Sequence, residues 1–330
     1  MKKTLMTVAV AAAMAASAAG HAAVVYDQDG TKLDLYGRIA MGIEGGGLET
    51  PTTDNGEEFV NVGSRLQITG SHQITSDLSA FARVQWRFNA DERDTDSGFS
   101  EVRNSYLGLK SEWFGTFMAG NYDSFYSDYV AGPFDVYIER GYEIGGGGLQ
   151  ARGDSLGYIS PNLEGFQAFI SAKHYSKRGE APDAPSSEVV TQGGISYEVD
   201  GLRLALGYVD DEDGRAGGQG ENIYGATVAY DINDAFSARL AYETQDDNYD
   251  TVGIGMTYAV ASWKFHADYY NIDVENSGDR NAWAAAAHYK LSNSFDMFLE
   301  LNDADKDFDA PADSGINDDL YYIVGARYHF

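Results

Sequence analysis

The chain has 330 residues, 38 of them glycine, no cysteine, and a formal charge of −28 at neutral pH. So acidic a surface repels nucleic acid and favours cations, and without cysteine the fold cannot lean on disulfides. A mean hydropathy of −0.36 would suit a water-soluble protein, but it equally suits membrane strands whose residues alternate between lipid and water.

Met1-Lys2-Lys3, the apolar run Leu5 to Ala19 and the small-x-small tripeptide Gly20-His21-Ala22 describe a secretory signal over residues 1–22. Cleavage after Ala22 starts the mature chain at Ala23 and removes two lysines, leaving it more acidic still. No later apolar run reaches the ~18 residues of a membrane helix. No linker or composition break divides residues 23–330, which are expected to form one domain.

Along the chain, two-residue alternation recurs. Leu33, Leu35, Ile39, Met41 and Ile43 oppose Lys32, Asp34, Tyr36 and Arg38. From Phe59 to Ile74, Val60, Val62, Ser64, Leu66 and Ile68 share one face, with Asn61, Arg65, Gln67 and Thr69 on the other. Ala80, Ala82, Val84 and Trp86 then oppose Ser79, Phe81, Arg83, Gln85 and Arg87. This period predicts strands with one apolar and one polar face. It continues through Phe236 to Tyr242, Val252 to Tyr258, Trp263 to Tyr269 and Phe295 to Leu301, and ends with Tyr322, Val324, Ala326, Tyr328 and Phe330. The outward aromatics, among them Trp86, Tyr197, Tyr208, Tyr230, Tyr258, Trp263, Tyr289 and Tyr328, fall near strand ends, as membrane-interface girdles require.

Connections alternate in length. Short ones fall near Ser76, Ser111, Pro161, Asp200, Asn233, Val260 and Ser292; long acidic ones fall at 45–58, 90–100, 122–148, 176–188, 210–220, 245–250, 273–280 and 303–318. Their number implies an all-β, antiparallel transmembrane barrel of about 16 strands with turns on one rim and loops on the other. Such a barrel is too wide for its wall side chains to fill and should hold an aqueous channel. Tyr328 and the terminal Phe330 belong to the closing strand, and that ending is similar to the C-terminal signal read by barrel-assembly machinery.

The loop 122–148 is the longest stretch without alternation, and it interleaves aromatics with carboxylates. It is too aromatic for a solvated tail and is expected to fold into the barrel as a constriction. Arg38, Arg65, Arg83, Arg87 and Arg103 lie on the polar faces of successive strands and would form a basic wall. Asp123, Asp128, Asp135, Glu139 and Glu143 on the loop would face it. Opposed charge across a narrow gap sets the selectivity of a pore.

Asp303, Asp305, Asp307 and Asp309 lack the glycine and closing glutamate of a calcium loop. Diffuse divalent bridging to lipopolysaccharide suits the acidic loops better. The histidines are scattered without metal spacing. The expectation is therefore no metal, no cofactor and no catalytic centre.

Val24-Val25-Tyr26-Asp27-Gln28-Asp29-Gly30-Thr31-Lys32-Leu33-Asp34-Leu35-Tyr36-Gly37-Arg38 resembles the mature N-terminus of the general diffusion porins of Gram-negative outer membranes. Ser64-Arg65-Leu66, Val102-Arg103 with Gly108-Leu109-Lys110, and Asn121-Tyr122 with Tyr126 are similar to that family's later motifs. The resemblance implies a 16-stranded homotrimeric barrel passing small hydrophilic solutes and ions. It adds Arg152 to the basic wall and a second loop, about Ala90 to Ser100, that latches onto a neighbouring subunit. The family's Pro-Glu-Phe-Gly-Gly is replaced here by Gly132-Pro133-Phe134-Asp135-Val136, so Asp135 and Glu139 are the chosen partners of the arginines. The acidic mouth favours cations. A substrate-specific channel and a non-transporting adhesin or structural barrel are the alternatives.

Overall fold

The computed structural model describes residues 22–47, 55–93, 98–145, 153–175, 187–211, 220–275, 278–305 and 319–330. Its first strands are β1 (Ala23–Gln28), β2 (Thr31–Gly46), β3 (Glu58–Asn61), β4 (Arg65–Gln73), β5 (Ser79–Arg87), β6 (Glu101–Ser111), β7 (Gly115–Asn121), β8 (Ser155–Ile159) and β9 (Phe166–Tyr175). They are followed by β10 (Glu188–Val199), β11 (Leu202–Val209), β12 (Ile223–Asp231), β13 (Phe236–Gln245), β14 (Tyr249–Val260), β15 (Trp263–Val274), β16 (Gly278–Lys290), β17 (Phe295–Ala304) and β18 (Tyr321–His329). Each wall strand pairs antiparallel with the next, and β18 returns to β2 from Tyr321↔Gly46 down to His329↔Arg38. The sheet is thereby closed, which leaves no backbone edge open to lipid.

Eighteen strand segments make a 16-stranded barrel because two wall positions are shared. β3 and β4 lie end to end along β2. β1 turns back through Asp29 and Gly30, both at positive φ, and pairs with the lower part of β2 from Ala23↔Leu35. A two-residue Asp-Gly turn is favoured there because it matches the strand twist. β1 therefore continues the line of β18. At the junction Gly37 and Phe330 exchange both backbone hydrogen bonds, at 2.8 and 2.9 Å.

The alternation holds in most strands, with Ile39, Ile43, Leu107, Leu156, Ile254 and Met256 on the outer face. The turn-side rim carries paired outward aromatics: Phe236 stacked on Tyr258 at 4.5 Å, Trp263 tilted against Tyr289 at 4.7 Å, and Tyr328 beside Phe330 at 6.2 Å. No helix among the described residues is long and apolar enough to cross a membrane.

Two expectations need correction. Phe59 to Ile74 is not one strand: Val62, Gly63 and Ser64 break it, and the register against β2 slips by one residue between Met41↔Asn61 and Arg38↔Arg65. A one-residue slip exchanges the two faces, so Val62 is buried inside the barrel with Ala40, Phe298, Tyr321 and Ile323. Ser64 occupies the gap, accepting a hydrogen bond from the Ala40 amide at 2.9 Å. The connections expected to be long at 245–250 and 273–280 are tight. β13 and β14 pair out to Gln245↔Tyr249, and β15 and β16 out to Val274↔Gly278. Strand pairing there runs through residues whose acidity had suggested loop.

The Phe330 ring lies over Gly37, where any Cβ would collide with it. Gly37→Leu is expected to destabilise the closing seam by about 1–3 kcal/mol. The check is the urea midpoint of the heat-modifiable band on electrophoresis, which should fall in the variant.

Candidate functional site

The largest apolar cluster among the described residues lies inside the barrel, between the inward loop and the wall. After β7 the chain turns in at Tyr122, which stacks on Phe125 at 5.3 Å. A π-helical turn at Ser127–Ala131 and a 3₁₀ turn at Gly132–Phe134 follow. Tyr126, Val130 and Phe134 are fully buried against the wall. They fit because the wall strands facing them carry glycine at inward positions. A Cβ on Gly207 would come within 2.8 Å of Val130, and one on Gly225 would run into the Tyr126 hydroxyl. Polar groups then fix the seat. Tyr126 donates to Glu243 at 2.8 Å, Thr227 donates to the Val130 carbonyl at 2.6 Å, and Gln192 accepts from both Ser124 and the Tyr126 amide.

Beyond Phe134 the chain crosses the lumen. Its tip is held by one carboxylate, Glu300, which accepts from the amides of Ile138 at 2.5 Å and Glu139 at 3.1 Å. The Tyr137 hydroxyl donates to the Ala284 carbonyl at 3.0 Å. Further on, Arg280 grips Glu143 at 2.7 Å. Burial pushes the Glu143 carboxyl up to about 7, with Arg280 pulling against it. Under the loop, Arg239 and Asp268 form a two-point ion pair at 2.7 and 2.9 Å beneath the Phe134 ring.

The space left open is a cavity of about 640 Å³. Arg38, Arg65, Arg87, Arg103 and Arg327 line one side, and Asp135, Tyr137, Ile138, Glu139 and Tyr142 come from the loop. The break in the β3–β4 line organises the basic side. Gly63, at φ 65, turns its carbonyl inward, where it accepts from Arg38 Nη2 at 2.7 Å and Arg65 Nε at 3.0 Å. Arg103 sits at a second irregularity, the residue skipped between Gln85↔Asn104 and Trp86↔Val102. Bulges re-aim side chains in this way. Arg103 pairs with Asp123 at 2.8 Å, Arg87 with Glu101 at 3.1 Å and Arg327 with Asp296 at 2.8 Å. Asp135 is open to lumen water yet ringed by protein. Enclosure pushes its carboxyl above the usual range while Arg103 and Arg65 pull it down.

Of the arginines expected on the wall, Arg38, Arg65, Arg87 and Arg103 meet in this cavity, while Arg83 lies over the Tyr106 ring at 5.8 Å and does not line it. Arg152 and loop positions 146–148 lie outside the described residues. Among the expected acids, Asp135 and Glu139 line the cavity; Asp123 is tied to Arg103. Glu143 is turned to Arg280, away from the basic side, because its own segment runs along β16. Asp128 is exposed on the π-helical turn and outside the cavity lining. Arg327, Arg239, Arg280, Glu243 and Glu300 had not been singled out. Strand parity places each of them inward, but nothing in parity says which inward charges meet the loop. Asp305 accepts from Asn281, whereas Asp307 and Asp309 are outside the described residues.

The family model described as Gram-negative porin matches residues 7–330. The chain belongs to the Gram-negative porin family. A monosaccharide porin of a Halomonas species is 29% identical over 360 residues, spanning 100% of this chain and 91% of the relative. Salmonella typhi OmpF, solved in a complex with daunomycin, superposes with a TM-score of 0.70 at 18% identity over 93% of this chain and 100% of its own. In vitro folded OmpT of Vibrio cholerae, in its trimer form, superposes at 0.63 with 17% identity over 92% of this chain and 100% of its own. The porin is accordingly an outer-membrane diffusion channel.

Glu300→Ala would leave the Ile138 and Glu139 amides without their acceptor. Both bonds are part-buried, so their loss should cost at most about 1–3 kcal/mol in all, enough to free the loop tip without unfolding the barrel. Single-channel records of the variant should show added open-state noise and wider conductance steps.

Proposed function

We propose that the porin passes small hydrophilic solutes and ions by passive diffusion through the cavity between loop and basic wall, with a preference for cations. The observation that carries this reading is the juxtaposition of Asp135 and Glu139 with Arg38, Arg65, Arg87 and Arg103 around one water-accessible space. Here the five guanidiniums and the loop carboxylates set a field across the pore, and charge at the narrowest level governs what passes. Three of the guanidiniums already hold carboxylates, which reduces the wall's pull on anions. The acidic chain, at −28 overall, concentrates cations at the mouth. A homotrimer is supported by the trimer form of the Vibrio cholerae neighbour. Residues 1–22, with their basic start, short apolar run and small-x-small end, act as the export signal, and 23–330 as one domain. The assembly machinery reads the outward Phe330, which is 44% exposed, and acidic loops bridge to lipopolysaccharide through divalent cations.

A second reading, a channel selective for sugars, draws on the name of the Halomonas relative and on Tyr137 and Tyr142 beside the cavity. Planar-bilayer recording separates the two. Stepwise openings in threes, a reversal potential favouring K⁺ under a KCl gradient, and no block by glucose are expected for the diffusion channel. Saturable block by glucose would establish the sugar channel instead, and silence from folded protein would refute both.

A further inference from the structure

On the turn side of the loop the lumen holds cations that are separate from the basic wall. On β15 Trp263 and Phe265 face outward, so Lys264 and His266 face in. On β16 Tyr289 packs outward against Trp263, so His288 and Lys290 face in. Lys264 and His288 are direct cross-strand partners. The His266 and His288 rings stand 5.1 Å apart, and the Tyr137 ring of the loop lies over His266 at 6.4 Å. Both lysines are exposed, and none of the four residues lines the cavity between loop and basic wall.

The inward carboxylates of β15 to β17 are all engaged elsewhere. Asp268 is held by Arg239, and Glu300 by two loop amides and by His288 at 3.3 Å. Asp296 stands across from Lys290 in register, yet its oxygens go to Arg327 at 2.8 Å and His329 at 2.9 Å. Among the described residues no carboxylate lies within ion-pair distance of Lys264 or Lys290. Acidic residues outnumber basic ones 51 to 23 in this chain, so a shortage of counter-charge is not the reason.

Diagonal neighbours on adjacent strands lie ~7–8 Å apart, within reach of long side chains. Lys264 and Lys290 stand in that relation, so both ammoniums can close on one anion between them. An ammonium is a compact point charge with three donors and suits phosphate oxygens. Arg239 donates to the Thr257 hydroxyl at 2.9 Å, which leaves that hydroxyl's own hydrogen for His266 Nδ1 at 2.9 Å. The neutral His266 ring then keeps its proton on Nε2, where it is a further donor.

We propose that Lys264 and Lys290, with His266 beside them, form a binding site for inorganic phosphate and small phosphate monoesters on the turn side of the loop. The inference rests on the pore reading above but concerns a different wall and a different level of the lumen. A phosphate offers both lysines oxygens that share its charge. A singly charged sulfonate satisfies the same contacts with less charge and is held less well.

The test uses the full porin in proteoliposomes with equal KCl on both sides, about 0.1 M, where charges are screened beyond about 10 Å. After KCl conductance has been recorded in planar bilayers, the fluxes of orthophosphate and methanesulfonate are measured against concentration. Phosphate flux should saturate, while methanesulfonate flux stays linear over the same range. Lys264→Gln with Lys290→Gln should raise the half-saturating phosphate concentration roughly five-fold, about what two solvent-exposed charge contacts supply. Lys110→Gln, which removes a lumen-side lysine from β6 on another part of the wall, should leave it unchanged. Linear phosphate flux in the unaltered porin would overturn the inference, as would saturation that survives the double change. An equal shift in Lys110→Gln would also overturn it, by assigning the effect to total lumen charge. Absence of KCl conductance is a different failure, since it removes the pore itself.

Discussion

The lumen depends on the apolar face of one loop being buried against wall strands that present glycine to it. A barrel of this width cannot close its own interior, because side chains from opposite walls do not meet. Tyr122, Phe125, Tyr126, Val130 and Phe134 supply the missing bulk, and Gly157, Gly207, Gly225 and Gly253 leave room for it. Each such ring or branched side chain contributes about 1.5–3 kcal/mol on burial. The seat is therefore a core in its own right, laid against the inside of a sheet whose other face meets lipid. The charges at the loop's far end can be held in a water-filled space because its near end is packed like a protein interior.

The polar contacts serve a different purpose. Glu243, Gln192 and Thr227 satisfy groups that the packed segment would otherwise bury without partners, whose cost inside a low-dielectric space is high. Glu300 works at the other end, where packing is thin and two backbone amides decide where the tip sits. The pair Arg239–Asp268 lies beneath the loop with both side chains almost fully covered. Breaking one partner of such a pair is more damaging than never having had it. The loop's position is thus set by packing at its base and by directional bonds at its tip.

The basic side of the cavity owes its shape to two backbone irregularities. A regular strand through Val62 to Ser64 would place Gly63's carbonyl in the ladder, where it could not reach Arg38 and Arg65. A regular β6 would separate Arg103 from Asp123. Both irregularities lie beside the cavity, where a side chain had to be aimed and not merely alternated. Among the described residues, the resulting arrangement divides five like charges into three with resident counter-charges and two without.

Strand number, spanning character, inward and outward faces and the inward loop were all legible in the amino-acid order, because a half-lipid, half-water strand must alternate and a closed barrel must alternate its connections. The same periodicity located Arg38, Arg65, Arg87 and Arg103, and the loop's composition pointed to Asp135 and Glu139. It failed where the period itself slips, at Val62 to Ser64, since a one-residue insertion leaves no mark in composition. It also failed for Arg327, Glu300 and Arg280, whose importance comes from which distant segment they touch. The chain order determined that these side chains face the lumen. Only the tertiary structure decided which of them meet, because closure brings β18 against β2 and lays the loop across β16 and β17, and such contacts depend on the path of the whole sheet.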